Sequence, residues 1–547
     1  MVFLNKATVF RLLLLANIVC IFYSITSTSV SRIEPTELGL VSILPPVFYI
    51  GLFLLGCLWY VGLKVHSYLL ISLVLTFVYL FVIPTVVRVP VWISNSYYPF
   101  GESLIINSTG HLDTGLVSTF VSYRYWPLFL YFSSALTLIT DIPHDILLKF
   151  FPLFSVAMYG IFTFLILRIK LAFPYAMLGV GFVLASLFIR QQYFGPQSIS
   201  YIFFLAILLV SSLLFFDDKS NQRLLIGLLI PLFLITTLMH PLTSFMSLIV
   251  LFAVFLARRF AKKERRGNLG IFLLLAIIIW LAYNNFAAES FMTTAVKHFS
   301  EIFAGLRGLG IYSEPSRIVG SQAMQLNFVT SWAIVGLGSI VGIFCIFQII
   351  RNFRLKRLEM DYLIFNVVLL ILLGLFAFFG EYGAVESYQR AFMFGLVPLS
   401  FLCASFLSRK PKVFVVFVTV LLFLNIPAQY GSDTFRLATD SQLSGTKFVS
   451  DFTPDNITLV GGFSIYIKYH NPFKNYSILD AGISHPIRES PNSTAIAEVL
   501  SVSDYIMVSQ IEHNYNLFYL GFDPFEEIIL EDFNRIYDNG GFALLKP

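Results

Sequence analysis

Residues 126–140 read WPLFLYFSSALTLIT, and whether this stretch crosses a membrane decides the side of every loop that follows it. A helix needs about 20 apolar residues to cross the ~30 Å hydrocarbon core. Fifteen residues, interrupted at Pro127, fall short, so the stretch is read as a juxtamembrane or re-entrant segment. Outward from it in both directions, longer apolar runs bounded by charges, prolines or polar loops mark thirteen spans: 9–29, 40–63, 67–88, 148–168, 173–190, 198–215, 222–239, 241–257, 269–286, 326–350, 361–379, 391–407 and 413–428.

Composition agrees with that count. Of 547 residues 57% are hydrophobic, 12% are charged and 59 are Phe, and the mean hydropathy is +0.80. No water-soluble domain of this size carries such a surface. The fold class is therefore a polytopic α-helical membrane protein of about 13 transmembrane helices. The four cysteines, Cys20, Cys57, Cys345 and Cys403, all lie in apolar runs, which leaves no disulfide framework and no Cys-rich zinc site.

Loop charge tests the reading of 126–140. With that stretch excluded and the N-terminus inside, 20 of the 36 Lys and Arg face the cytoplasm, among them Arg258, Arg259, Lys262, Lys263, Arg265 and Arg266 in one loop. Acidic residues distribute the other way: 5 of 31 are inside and 15 lie after residue 429. The sequons at Asn107, Asn456, Asn475 and Asn492 all fall on the expected outside, where glycan is added. The first span follows Lys6 and Arg11 and is read as a retained anchor, not a cleaved signal peptide. The net charge of +5 is a cytoplasmic rim facing anionic lipid and implies no nucleic acid.

Two units result: a transmembrane unit, 1–429, with long outward loops at 89–147 and 285–325, and an extracytoplasmic α/β domain, 430–547. In the latter, Ile457 to Val460, Tyr505 to Val508 and Gly541 to Leu545 read as strands, Gln442 to Phe452 and Ser493 to Leu500 as helices, and Asp538-Asn539-Gly540-Gly541 as a hairpin turn. No GxxxxGK[ST] or other nucleotide-binding unit occurs in the short inward loops. Chemistry, if any, faces outward.

The first long loop concentrates Glu102, His111, Asp113, Arg124, Asp141, His144 and Asp145 among aromatic residues. A carboxylate there can act as a general base or bind a divalent ion, while Arg and His can hold phosphate; a solvated loop with an aromatic belt is the plainer alternative. Further candidates sit at span edges, where a charge is expensive unless it lines a cavity. His240 heads one span, Arg190, Gln191, Gln192 and Gln197 lie between two others, and Glu381, Glu386 and Arg390 crowd one short loop. Taken singly, each is more often a headgroup contact or a helix cap than a ligand.

The order of these parts resembles the GT-C class of integral-membrane glycosyltransferases, in particular its archaeal members. The resemblance rests on a long first outward loop running into Tyr125-Trp126-Pro127-Leu128, on Gly195-Pro196-Gln197-Ser198 between spans, and on His240-Pro241-Leu242-Thr243-Ser244 at a span start. It also rests on Gln389-Arg390 opening a late span and on an outward α/β domain ending Arg535-Ile536-Tyr537-Asp538-Asn539-Gly540. It implies inverting transfer of a hexosyl or pentosyl group from a polyprenyl (dolichyl) phosphate sugar to a glycan, lipid or protein acceptor on the outer face, by a multi-pass protein of the cell membrane among membrane lipids. The class often carries a key Asp early in the first loop, where this chain has Asn95-Ser96-Tyr97, and Asn cannot act as a base near neutral pH. The base role then falls to Glu102 or Asp113, with Glu34 and Glu37 in reserve. Donor phosphate would be held by Arg390, with His240 and Arg317 behind it. No cofactor is required, although Glu102 or Asp113 with His111 would suit a divalent metal ion. A membrane glycan ligase or polymerase, a lipid-linked glycan flippase or transporter, and a catalytically inactive scaffold of the same class are the alternatives.

Overall fold

The computed structural model describes residues 5–28, 38–63, 65–88, 94–112, 124–189, 191–216, 221–260, 269–289, 322–354, 361–379, 384–407, 410–431, 439–461, 467–471, 473–474, 476–479, 503–519 and 533–546. Each of the thirteen expected spans falls on a helix: α1 (Lys6–Ser27), α2 (Pro46–Gly62), α3 (His66–Val87), α6 (His144–Arg168), α7 (Phe173–Ser186), α8 (Pro196–Phe216), α9 (Gln222–Met239), α10 (Pro241–Phe260), α11 (Leu269–Phe286), α12 (Gln322–Arg354), α13 (Asp361–Phe379), α14 (Ala384–Leu407) and α15 (Pro411–Tyr430). Among the described residues nine helices are long and apolar enough to cross a membrane, while α2, α7 and the described cores of α13 and α14 are shorter apolar helices. The chain is a multi-pass α-helical membrane protein.

Side chains along α1 show how these helices sort lipid from protein. Leu12, Leu15, Val19 and Phe22 are exposed, whereas Phe10, Asn17, Cys20 and Ser24 are buried, so one stripe at helical spacing faces outward and another faces the bundle. Phe10 stacks on Tyr68 at 3.8 Å, and the Tyr79 hydroxyl donates to the Asn17 carbonyl at 3.3 Å. Gly51 makes this approach possible, because a Cβ there would collide with the Tyr79 hydroxyl. The first span is thus an integral part of the core. Pro427 lies inside α15 near its end, and Asn327 donates at 2.8 Å to both the Pro427 and Ala428 carbonyls, capping the helix end.

In the first long loop, α4 (Tyr97–Thr109) and α5 (Leu128–Thr140) lie side by side. At 13 residues α5 is too short to span. Its Ser133, Ser134 and Thr137 are buried while Leu138 and Ile139 are 66% and 83% exposed, so a polar stripe packs on protein and an apolar edge is left for lipid.

One boundary differs from expectation. The span read as 173–190 stops as a helix at Ser186, and 187–195 cross from α7 to α8 as irregular, buried chain apart from the half-buried Gln191, with Arg190 outside the described residues. Tertiary anchors override helix propensity here: the Phe188 ring lies 6.1 Å from Phe392 of α14, and Phe194 packs on Phe129 and Phe151 at 5.3 and 4.9 Å. Irregular backbone at membrane depth survives only where protein or a cavity surrounds it.

The two ends of the bundle have different character. At one end Arg258 donates to the Leu214 carbonyl and to Gln222, and Lys412 lies over the Tyr60 ring; all belong to the loops expected inside. At the other end stand α4, α5 and the C-terminal unit. There α16 (Asp440–Phe452), opened by a Thr439–Gln442 capping box, is followed by β1 (Ile457–Val460), α17 (Ile467–His470), β2 (Tyr476–Leu479), β3 (Tyr505–Ser509), α18 (Gln510–Tyr519), β4 (Asn534–Asp538) and β5 (Phe542–Lys546). The sheet order is β2-β1-β3-β5-β4. β1 pairs in parallel with β2 and β3, and β5 antiparallel with β3 and β4. The three expected strands, the helix at 442–452 and the hairpin turn are present; β2, β4, α17 and α18 are additions, and Ser493 to Leu500 lie outside the described residues.

Candidate functional site

The first-loop helices are held together by hydroxyls and an amide at one-turn spacing. Ser103 meets Ser133 at 2.9 Å, Asn107 Nδ2 donates to Thr137 Oγ1 at 3.0 Å, and Ser134 donates to Asn107 Oδ1. The sequon residue Asn107 therefore has both amide atoms engaged. Asn456 is exposed in a left-handed turn before β1, and Asn475 and Asn492 lie outside the described residues.

Glu102, on α4, has no exposed surface. Its Oε2 accepts from Arg124 Nε at 3.0 Å and its Oε1 accepts from the Tyr98 hydroxyl at 3.3 Å. A buried carboxylate so paired ties the loop ends together, and deleting one partner strands the other charge, a loss of about 3–5 kcal/mol. Beyond Arg124, the Tyr125 carbonyl accepts from the Tyr283 hydroxyl of α11 at 2.5 Å, which fixes the loop to the bundle. His111 lies past the end of α4, exposed, with its Nδ1 3.0 Å from the Thr109 carbonyl. Glu102 is paired with the Arg124 guanidinium, and His111 stands apart, exposed beyond the end of α4. Among the described residues no three His, Cys, Asp or Glu side chains gather to hold a metal. Asn95 is exposed and Tyr97 buried. Asp113, Arg317 and Glu381 lie outside the described residues, and Glu386 is in the first turn of α14.

Beneath α4 one apolar cluster brings together five separate parts of the chain. Tyr97 and Phe100 of α4, Phe129 of α5, Phe151 of α6, Phe194 of the bridge and Met239 at the end of α9 pack together, with Tyr469 of α17 against them. Tyr469 lies edge-on to Tyr97 at 4.8 Å and donates to Asp145 at 3.0 Å; burial and the Asp145 carboxylate push its phenol up. Next to Met239, His240 stands in the turn between α9 and α10. Its Nδ1 accepts from the Thr243 backbone N–H at 3.3 Å, closing the first turn of α10, so the ring proton sits on Nε2. Burial, and then the nearby Arg390 guanidinium, push the imidazole down to about 3, which keeps it neutral.

Arg390 comes to the same place through α14. The Tyr201 hydroxyl of α8 donates to the Met393 carbonyl at 3.0 Å, and Phe394 packs on Tyr201 and Phe204 at 5.4 and 4.8 Å. One turn earlier on the same faces stand Gln197 of α8 and Arg390 of α14. Gln197 is buried, and its Nε2 has no hydrogen-bond partner among the described residues. The structure thus brings the Arg390 guanidinium near the His240 imidazole at the end of the bundle beside α4, groups suited to anionic oxygens, with the buried Gln197 amide in the first turn of α8. Of the sequence candidates it brings together Arg390 and His240, and pairs Glu102 with Arg124 in the first long loop. Tyr98 and Tyr469 were not legible, because nothing in the sequence distinguishes two of 27 tyrosines.

No protein-family model matches the chain, and no curated protein matches it. In fold the chain is similar to the crystal structure of the Archaeoglobus fulgidus oligosaccharyltransferase, tethered with an acceptor peptide containing the NVT sequon through a disulfide bond. The TM-score is 0.51 at 12% identity, covering 88% of this chain and 74% of that one. The helical bundle with its C-terminal sheet is therefore GT-C-like in fold.

Proposed function

We propose that the protein is an integral-membrane glycosyltransferase that moves a sugar, with inversion, from a polyprenyl (dolichyl) phosphate to an acceptor on the outer face. In this reading the basic loops and the N-terminus are cytoplasmic, and residues 430–547 form an extracytoplasmic domain beside the first long loop. The observation that carries it is that Arg390 lies near His240, whose neighbour Met239 packs in one cluster with Tyr97 and Phe100 of α4 and Phe129 of α5. The fold likeness to an oligosaccharyltransferase is in keeping with it.

The chemistry follows from charge development. The acceptor oxygen attacks the anomeric carbon from the face opposite the phosphate while a carboxylate takes its proton, and the bond from that carbon to the phosphate oxygen breaks. Negative charge collects on the leaving phosphate, where Arg390 neutralises it and the Gln197 amide and His240 Nε2–H donate to its oxygens. Glu102, sealed against Arg124 and Tyr98, is better placed to position the loop than to deprotonate an acceptor, so the base role falls first to Asp113.

The test is transfer of radiolabelled sugar from a panel of dolichyl phosphate sugars by purified protein in lipid, set beside Arg390→Ala, Asp113→Asn and Glu102→Gln. Loss of about 100-fold or more in Arg390→Ala and Asp113→Asn is expected, with Glu102→Gln retaining most activity in the folded fraction. Loss in a folded Glu102→Gln with Asp113→Asn active would move the base to Glu102. No transfer from any donor would favour the inactive scaffold, ligase or flippase.

A further inference from the structure

Gln192 carries a buried amide that no described residue uses. It is 1% exposed, and neither its Oε1 nor its Nε2 has a hydrogen-bond partner among the described residues. An amide buried without partners destabilises the folded chain, so its retention asks for a ligand or for tightly held water.

Its location indicates which ligand. The bridge that holds it is pinned at both ends: Phe188 against Phe392, two residues beyond Arg390, and Phe194 against Phe100, Phe129 and Phe151 beneath the first long loop. Gln192 thus lies on a strip of chain running from the phosphate side of the candidate site to the loop that would supply the base. In the proposed transfer the group between leaving phosphate and base is the sugar itself. A carboxamide offers two donors and two acceptor lone pairs, which matches the mixed donor and acceptor character of vicinal hydroxyls. A free carboxylate or a further cation would instead favour one sign of charge.

Resting on the glycosyltransferase reading, we infer that Gln192 binds hydroxyl groups of the donor's sugar, making the α7–α8 bridge the sugar-recognition element of the site. Gln197, one turn before Tyr201 and level with Arg390, then belongs to the phosphate, and the two amides divide the donor headgroup between them.

The experiment measures the melting temperature of full-length protein in lipid nanodiscs with dolichyl phosphate, dolichyl phosphate mannose and dolichyl phosphate glucose, for wild type and Gln192→Leu. Wild type is expected to be stabilised by dolichyl phosphate and further by at least one of the sugar-bearing lipids. In Gln192→Leu the melting temperature without ligand should be unchanged or higher, because an unpaired amide is replaced by an apolar group of similar size. The dolichyl phosphate shift should persist and the sugar-specific increment should disappear. An increment that survives the substitution overturns the inference, as does a ligand-free melting temperature several degrees lower, which would make the amide structural. A wild type that gains from dolichyl phosphate but from neither sugar gives water, not a hexose, as the occupant and also overturns it. Failure of the wild type to respond to any of the three lipids would instead remove the glycosyltransferase reading on which the inference stands.

Discussion

His240 shows how one side chain at a span edge can serve structure and ligand together. Its Nδ1 is taken by the Thr243 N–H at the head of α10, and only Nε2 remains to donate. Since burial and Arg390 hold the imidazole at about 3, below the ~6.5 of an unfolded histidine, folding favours the neutral ring. The stability this contributes is fully present above pH 6.5 and is lost as pH falls toward 3. We expect His240→Gln, which keeps an acceptor and a donor but cannot titrate, to flatten the fall of melting temperature between pH 6.5 and 4. His240→Ala, with no cap, should lose about 1 kcal/mol at pH 7. Identical pH slopes for wild type and His240→Gln would refute this account. His240, Gln197 and Arg390 were legible in the sequence because polar groups at span edges are costly and hence conspicuous. Glu102 was legible as a carboxylate but not as a buried strut, since Arg124 meets it only once the loop has folded back.

At the scale of elements, apolar run length placed a helix under each of the thirteen expected spans, nine of them long and apolar enough to cross a membrane among the described residues, because hydrocarbon thickness sets the length of an apolar run. Composition could not reveal the break at Ser186. Leu187, Phe188 and Ile189 continue an apolar pattern, and only the rings they meet on other helices draw the chain out of its helix. Nor did Tyr476 to Leu479 announce a strand, for four residues give too little alternation to read. The α4–α5 pair is the element-scale contact on which the candidate site most depends. Asn107 makes two of the pair's three polar contacts, so Asn107→Leu takes away the acceptor of Ser134 and should destabilise the pair by about 1–3 kcal/mol. Amide hydrogen exchange in α5 should rise accordingly while that in α8 stays unchanged. Equal protection in the variant would mean that the exposed apolar edge of α5, resting on lipid, holds the helix by itself.

For the molecule as a whole, the C-terminal unit and the membrane bundle meet where the site candidates gather. Tyr469 is the joint: one side chain reaches Asp145 at the head of α6, the Tyr97 and Phe100 rings of α4, and His144. The adjacent His470 is held low, chiefly by burial, so acidification through the range of an ordinary imidazole works against the folded state. A domain fixed this way does more than hang from the last span; it bears on the helix that carries Glu102 and Asn107. If α4 is ordered partly by the C-terminal unit, loosening the joint should be felt across the interface. Tyr469→Phe removes one hydrogen bond, worth about 1 kcal/mol, and leaves the ring packing intact. Tyr469→Ala also removes the aromatic contacts, for a loss of about 3–5 kcal/mol. Amide exchange in α4 should therefore rise slightly in the first variant and strongly in the second, while α2 and α15, remote from the contact, keep their protection. Exchange in α4 that ignores both substitutions would show that the first loop is ordered by the bundle and by α5 without help from the C-terminal unit.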